Sequence, residues 1–153
     1  GRGAGSDDVM LQRKVEVVRR GVAMHDPDPS DPLGVLAALG GLELAGMAGF
    51  MLGGAAHRVP VILDGVLSCS AALVATGLQP DLIGYLFAGH LGDEPGIKVA
   101  LEALGLPALC DLELRLGEGS GALMALPIIR GAARVLRDMA TFADAGVSGK
   151  VDE

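Results

Sequence analysis

Val59-Pro60-Val61-Ile62-Leu63-Asp64-Gly65 sets the fold class of the chain. A short apolar run rich in β-branched residues, ending in a polar Asp-Gly turn, reads as a buried parallel strand. Working outward, residues 68–76 read as helix. Leu82-Ile83-Gly84-Tyr85-Leu86-Phe87, within 81–90, reads as a second strand. Glu94-Pro95 opens a helix that Gly105 closes, with Pro107 just beyond. Residues 109–116 read as a third strand. There Leu109, Asp111, Glu113 and Arg115 alternate with Cys110, Leu112, Leu114 and Leu116, as on a sheet edge. A long helix is expected over 122–142. Upstream, a helix is expected over 9–20, with Val9, Leu11, Val15, Val17 and Val18 as its apolar positions. The Pro-rich connector 26–32 follows, and its Asp31-Pro32 is suited to start the next helix. Strand and helix alternate, which implies an α/β fold: three-layer, Rossmann-like, with a parallel sheet and a long C-terminal helix.

The chain has 153 residues, a size that suits one domain, and 50% of them are hydrophobic. Aromatic residues make up 3% and there is no Trp, so platforms for stacking bases are lacking; a net charge of −7 repels polyanions. Nucleic acid is therefore not an expected partner. The apolar stretch 33–56 carries Glu43 and seven glycines, and reads as a buried helix or helix pair rather than a membrane span. Cys69 and Cys110 read as two buried free thiols of a reducing compartment, which with the lack of a visible secretory signal leads to a cytoplasmic expectation. Met24, Met47, Met51, Met124 and Met139 read as core packing, and His25 and His57 as surface or helix-end residues. No His/Cys/carboxylate cluster has metal-ligand spacing, so no metal is expected.

In open parallel sheets, ligands bind beyond the carboxyl ends of the strands. Three polar or Gly-rich turns fall there: Asp64-Gly65, Gly89-His90-Leu91-Gly92-Asp93-Glu94 and Gly117-Glu118-Gly119-Ser120-Gly121. The last is the sharpest. Its glycines permit close backbone approach, and its carboxylate stands before a helix N-terminus whose dipole favours negative charge. Such a carboxylate suits a general base; it also suits a plain helix-cap turn. Likewise Asp64 is an ordinary turn residue as readily as a ligand contact, and His90 a structural histidine as readily as a catalytic one.

Leu116-Gly117-Glu118-Gly119-Ser120-Gly121-Ala122 resembles the glutamate-bearing motif of the nicotinate-nucleotide–dimethylbenzimidazole phosphoribosyltransferases. Asp138-Met139-Ala140-Thr141-Phe142 and Ala145-Gly146-Val147 resemble that family's C-terminal ending. Val61-Ile62-Leu63-Asp64-Gly65, Gly89-His90 and Glu94-Pro95-Gly96 resemble its other rim segments, and Gly1-Arg2-Gly3-Ala4-Gly5 through Lys14 its central loop and helix. The resemblance runs in order along nearly the whole chain. It implies that residues 1–153 are the C-terminal part of one catalytic domain, beginning inside a loop and lacking the family's N-terminal half and strands, and that alone they are inactive or nearly so. The implied reaction transfers the phosphoribosyl group of nicotinate mononucleotide to 5,6-dimethylbenzimidazole, giving α-ribazole 5′-phosphate and nicotinate, without a cofactor. The resemblance makes Glu118 the base and Lys14 a phosphate contact. It places Gly3, Gly5, Asp64, Gly65, His90, Gly92, Leu116 and Gly117 on the substrate rim, and implies a homodimer. Where the family usually has a Ser in the loop just after the histidine, this chain has Gly92, which puts a side-chain hydroxyl contact in doubt and leaves a backbone amide as its substitute. The alternative is a non-catalytic α/β module that binds a phosphate ligand or a partner.

Overall fold

The computed structural model describes Gly5 and residues 7–147. A parallel three-stranded sheet, ordered β1-β2-β3, forms the centre: β1 Val61–Leu63, β2 Leu86–Leu91 and β3 Ala108–Asp111. Ile62 pairs with Phe87, Ala88 with Ala108 and His90 with Cys110. Helices α4 Val66–Leu78 and α5 Pro95–Leu104 make the two crossovers, pack on each other and cover one face. The long α6, Ser120–Asp138, touches all three strands and covers the other. Before the sheet come α1 Asp8–His25, α2 Pro32–Leu39 and α3 Leu42–Ala56. The α/β expectation therefore holds, with helices on both faces of a small parallel sheet.

The core is built from small side chains. Ala48, Ala71, Ala72, Ala75, Ala88 and Ala100 are all buried, beside Met51, Leu63, Leu82, Ile97 and Leu101. Small side chains let α3 and α4 approach closely, and the interior stays dense because short groups leave few gaps. The α6 layer sits close against the sheet. A Cβ on Gly89 would lie 2.7 Å from the Leu63 carbonyl oxygen and 3.0 Å from the Ala122 Cα, both backbone atoms.

Local signals explain most boundaries. Asp31 accepts a hydrogen bond from the Gly34 amide at 3.0 Å with Pro32 at the first helical position, so α2 begins where its capping chemistry places it. Asp7 caps α1 by accepting from the Met10 amide. Gly105, at φ +67°, ends α5 in the left-handed conformation. Gly40-Gly41 break the 33–56 stretch into two helices.

Several expectations need correction: the first strand is only Val61–Leu63 with Val61 and Ile62 half-buried, and the first helix runs on to His25 with no buried residue. The second strand starts at Leu86, because Pro80 initiates a 3-10 turn, Pro80–Tyr85, that buries Leu82 on the core; an apolar run alone does not separate a strand from a helical turn. The third strand stops at Asp111, where Glu113 at φ +52° breaks the extended path. The last helix ends at Asp138 rather than at residue 142, as Thr141 and Asp144 close a side-chain–backbone turn that competes with helix. The 33–56 helix pair is only partly buried: Ala48 and Met51 are covered, whereas Leu42 and Phe50 are exposed. Burial of the sulfur residues is also uneven. Met51 is core, yet Met24, Met124 and Met139 are exposed, and Cys110 is half-buried while Cys69 is buried. His25 ends α1 and His57 caps α3, both exposed as expected.

Gly89→Ala should cost about 2–3 kcal/mol of stability, since backbone must move to admit the methyl. Gly131→Ala, in the exposed middle of α6 with nothing within 4 Å of the added carbon, should instead gain up to about 1 kcal/mol; denaturant melts of the two variants check both signs. Burial, opposed in part by the Ser68 hydrogen bond and reinforced by the Asp64 charge, pushes the Cys69 thiol up to about 11. Native Cys69 should therefore stay protonated and resist alkylation at pH 8, becoming reactive only on unfolding; mass spectrometry of the labelled chain reads this directly.

Candidate active site

The three turns at the strand ends converge on one cleft of about 450 Å³, whose lining includes Asp64, Gly65, His90, Arg115, Leu116, Gly117 and Glu118. Its geometry starts from Asp64, the residue that follows β1. One carboxylate oxygen accepts from the Gly121 amide at 2.9 Å and the Ala122 amide at 3.1 Å, and the other from the Gly119 amide at 3.1 Å. Helix α6 has no side-chain cap of its own at Gly119. Asp64 thus caps it from across the sheet, satisfying amides that a helix start leaves orphaned and placing negative charge at its positive end. The Asp64 backbone is fixed in turn: its amide donates to Ser68 Oγ at 2.9 Å, and that hydroxyl donates to the Gly65 carbonyl at 2.8 Å.

Between β3 and α6 the chain makes three consecutive left-handed residues, Gly117 at φ +74°, Glu118 at +60° and Gly119 at +79°. Glycine adopts this freely, but a side chain there costs about 1–2 kcal/mol. Glu118 is the one member of the three that carries such strain, and it stands exposed at the cleft lip. Strain of this kind persists only where surrounding contacts over-determine it, and it gathers at functional sites. Here the Asp64 clamp supplies the constraint.

His90 is buried at 3% exposure near the end of β2, with Nε2 3.8 Å from Asp64 Oδ1. Neither ring nitrogen has a hydrogen-bond partner among the described residues. The ring lies against α6: a Cβ on Gly121 would fall 1.8 Å from His90 Cδ2. Helix α4 starts after its N-cap Gly65 without a side-chain cap, and Gly65, Val66, Leu67 and Ser68 line the cleft. A bare helix start facing a cavity is an anion-binding arrangement.

Of the residues singled out in the sequence, Asp64, Gly65, His90, Leu116, Gly117 and Glu118 meet at this cleft. Gly92 does not line it. It sits beside it, where a Cβ would lie 2.9 Å from His90 Cε1 and 2.7 Å from Ile97 Cδ1. Lys14 lies on α1, which packs on α2 and contributes no lining residue. Gly5 precedes that helix at φ +69°, and Gly3 lies outside the described residues. Arg115, the cation of the cleft lining, reads in the sequence only as one side of a strand; its signal is its place directly before the Leu116-Gly117-Glu118 turn. Among the described residues no cluster of three His, Cys, Asp or Glu side chains is arranged to hold a metal, and no helix is long and apolar enough to cross a membrane.

Asp64→Ala should leave the Gly119, Gly121 and Ala122 amides without an acceptor and cost about 2–3 kcal/mol. Asp64→Asn, which keeps an acceptor oxygen but loses the charge, should cost less, and equilibrium unfolding of both variants measures the difference.

Comparison with known proteins gives a consistent result. A phosphoribosyltransferase family model matches residues 1–147. The nicotinate-nucleotide–dimethylbenzimidazole phosphoribosyltransferase of Salinispora tropica is 60% identical over 98% of this chain, and that of Desulforamulus reducens 52% identical over 97%. The crystal structure of CobT from Thermus thermophilus superposes with a TM-score of 0.88 at 48% identity over 98% of the chain. The chain spans 41% and 42% of the length of the two curated relatives and 44% of the crystallised protein. On the matched length and identity together, the chain belongs to the nicotinate-nucleotide–dimethylbenzimidazole phosphoribosyltransferase family.

Proposed function

We propose that this chain carries the catalytic rim of an enzyme that transfers the phosphoribosyl group of nicotinate mononucleotide to 5,6-dimethylbenzimidazole. The observation that supports it most is the strained, clamped turn that holds Glu118 at the lip of the cleft. One nitrogen of the azole attacks the anomeric carbon. The bond from that carbon to the nicotinate nitrogen breaks, its electron pair returns to the ring, and a neutral pyridine ring leaves. The proton on the second azole nitrogen must go as the new C–N bond forms, and Glu118 accepts it. A carboxylate base in hydrogen-bond reach of that proton contributes roughly 10²–10⁴ in rate. The reaction inverts the anomeric centre and yields α-ribazole 5′-phosphate.

The substrate phosphate suits the bare start of α4 at Gly65, with Arg115 as the cation in the same cleft. Lys14 is a further proposed phosphate contact on its motif match, and Gly3, Gly5, Gly92 and Leu116 are proposed substrate contacts on theirs, Leu116 in the cleft lining and Gly92 beside it. Asp64 contributes by holding the turn. We also propose a homodimer, residues 1–153 as the C-terminal part of the catalytic domain, and a cytoplasmic location. The two unpaired cysteines, Cys69 and Cys110, fit that location.

Activity is best measured in a chimaera of the Salinispora tropica relative in which this chain replaces the matching segment. Glu118→Gln keeps shape and hydrogen bonding but removes the proton acceptor. It should lower kcat by about 10²–10⁴ with nucleotide binding nearly unchanged; turnover within a few-fold of the parent refutes the assignment. Lys14→Ala should raise KM for nicotinate mononucleotide by about one to two decades, as loss of a charge-assisted contact does, and KM for the base much less. Equal effects on both substrates would make Lys14 structural.

A further inference from the structure

Three buried side-chain polar atoms lack a hydrogen-bond partner among the described residues: His90 Nδ1, His90 Nε2 and Ser120 Oγ. Two of the three belong to one ring at the end of the central strand, β2. Buried polar atoms are nearly always paired, so a side chain that keeps two unpaired is held there for something other than filling space. An apolar ring would fill the volume without that penalty.

What the ring touches suggests its purpose. Nε2 stands 3.8 Å from Asp64 Oδ1, the oxygen that accepts from the Gly121 and Ala122 amides. The ring face rests on Gly121, where an added Cβ would be 2.3 Å from Nε2. His90 therefore meets both sides of the clamp, its acceptor and one of its donors. We propose that His90 is a positioning residue: its Nε2 edge holds the Asp64 carboxylate in line with the α6 amides and thereby fixes the turn that presents Glu118. At 3.8 Å this is a contact between the Nε2 edge and the carboxylate rather than a formed hydrogen bond, made by a ring at 3% exposure. His90 acts through Asp64 and touches no reacting atom. The effect on the turn stands by itself; its effect on rate rests on Glu118 being the base.

Amide hydrogen exchange of the 153-residue chain tests the first part. His90→Phe keeps a planar aromatic ring, larger by one atom, and removes both nitrogens, whereas His90→Gln returns a donor near the Nε2 position. His90→Phe should speed exchange at Gly121 and Ala122 about tenfold while Ala72 and Ala75 in α4 stay unchanged, and His90→Gln should keep the parent's slow exchange. Unchanged exchange at Gly121 and Ala122 in His90→Phe, equal acceleration at Ala72 and Ala75, or fast exchange at Gly121 and Ala122 in His90→Gln would each overturn the proposal. If His90→Phe does not fold, His90→Gln decides alone by the same reading. In the chimaera, His90→Phe should lower kcat about tenfold with KM within twofold. A selective loosening of the turn with unaltered kcat upholds the positioning role and removes Glu118 as the base; a rise in KM without a fall in kcat makes His90 a direct ligand contact and overturns it.

Discussion

The Asp64 carboxylate accepts three backbone amides from a segment 55 to 58 residues further along the chain. The rest of the site depends on that contact. It joins the end of β1 to the start of α6, and these elements otherwise meet only through the layer packing of helix on sheet. It also replaces the local cap that α6 lacks. A helix of 19 residues brings a substantial positive end to the strand termini. One carboxylate meets that field and the orphaned amides together, and the turn before the helix is drawn over the cleft as a result.

The turn could not hold its shape on propensity alone. Glycine on either side of Glu118 gives the chain access to left-handed backbone, but Glu118 itself holds its conformation at the cost of strain. The clamp fixes Gly119 on one side of Glu118, while the Ser120 amide bonds back to the Gly117 carbonyl at 3.0 Å. A side chain held this way needs little reorganisation when a ligand arrives, which is what preorganisation would contribute to the proton acceptor proposed above. The close seat of α6 serves the same end. Gly89 and Gly121 leave no room for a side chain against the sheet end and the His90 ring, so the helix start sits low enough for Asp64 to reach it.

Where the sequence was legible, a local chemical signal decided the outcome. Asp31-Pro32 and Gly105 mark helix ends because capping is a matter of adjacent residues. The apolar run ending in Asp64-Gly65 marks a strand of three residues, Val61–Leu63, whose last side chain is buried and whose first two are half-buried. The reading failed where two conformations compete for the same composition. The apolar residues 82–87 divide between a 3-10 turn and a strand, and Pro80 tips the balance. The alternation of 109–116 breaks at Glu113, whose left-handed backbone nothing in its type demands. The Glu118 turn was legible from its glycines. The partnership of Asp64 with α6 was not, since nothing local ties a residue to amides more than fifty positions away. Likewise, Lys14 fits the family's motif but sits on a helix that lines no part of this cleft, a spatial fact that motif order does not carry.

In the proposed reaction the clamped turn aims the Glu118 carboxylate at the azole of the incoming base. A crystal structure of the chimaera with bound α-ribazole 5′-phosphate tests it most directly. A Glu118 carboxylate oxygen is expected within about 2.6–3.2 Å of the azole nitrogen that is not bonded to ribose, with Asp64 still on the Gly119, Gly121 and Ala122 amides. A product seated with that nitrogen beyond reach of Glu118, or a turn that has left Asp64 in the complex, would contradict it.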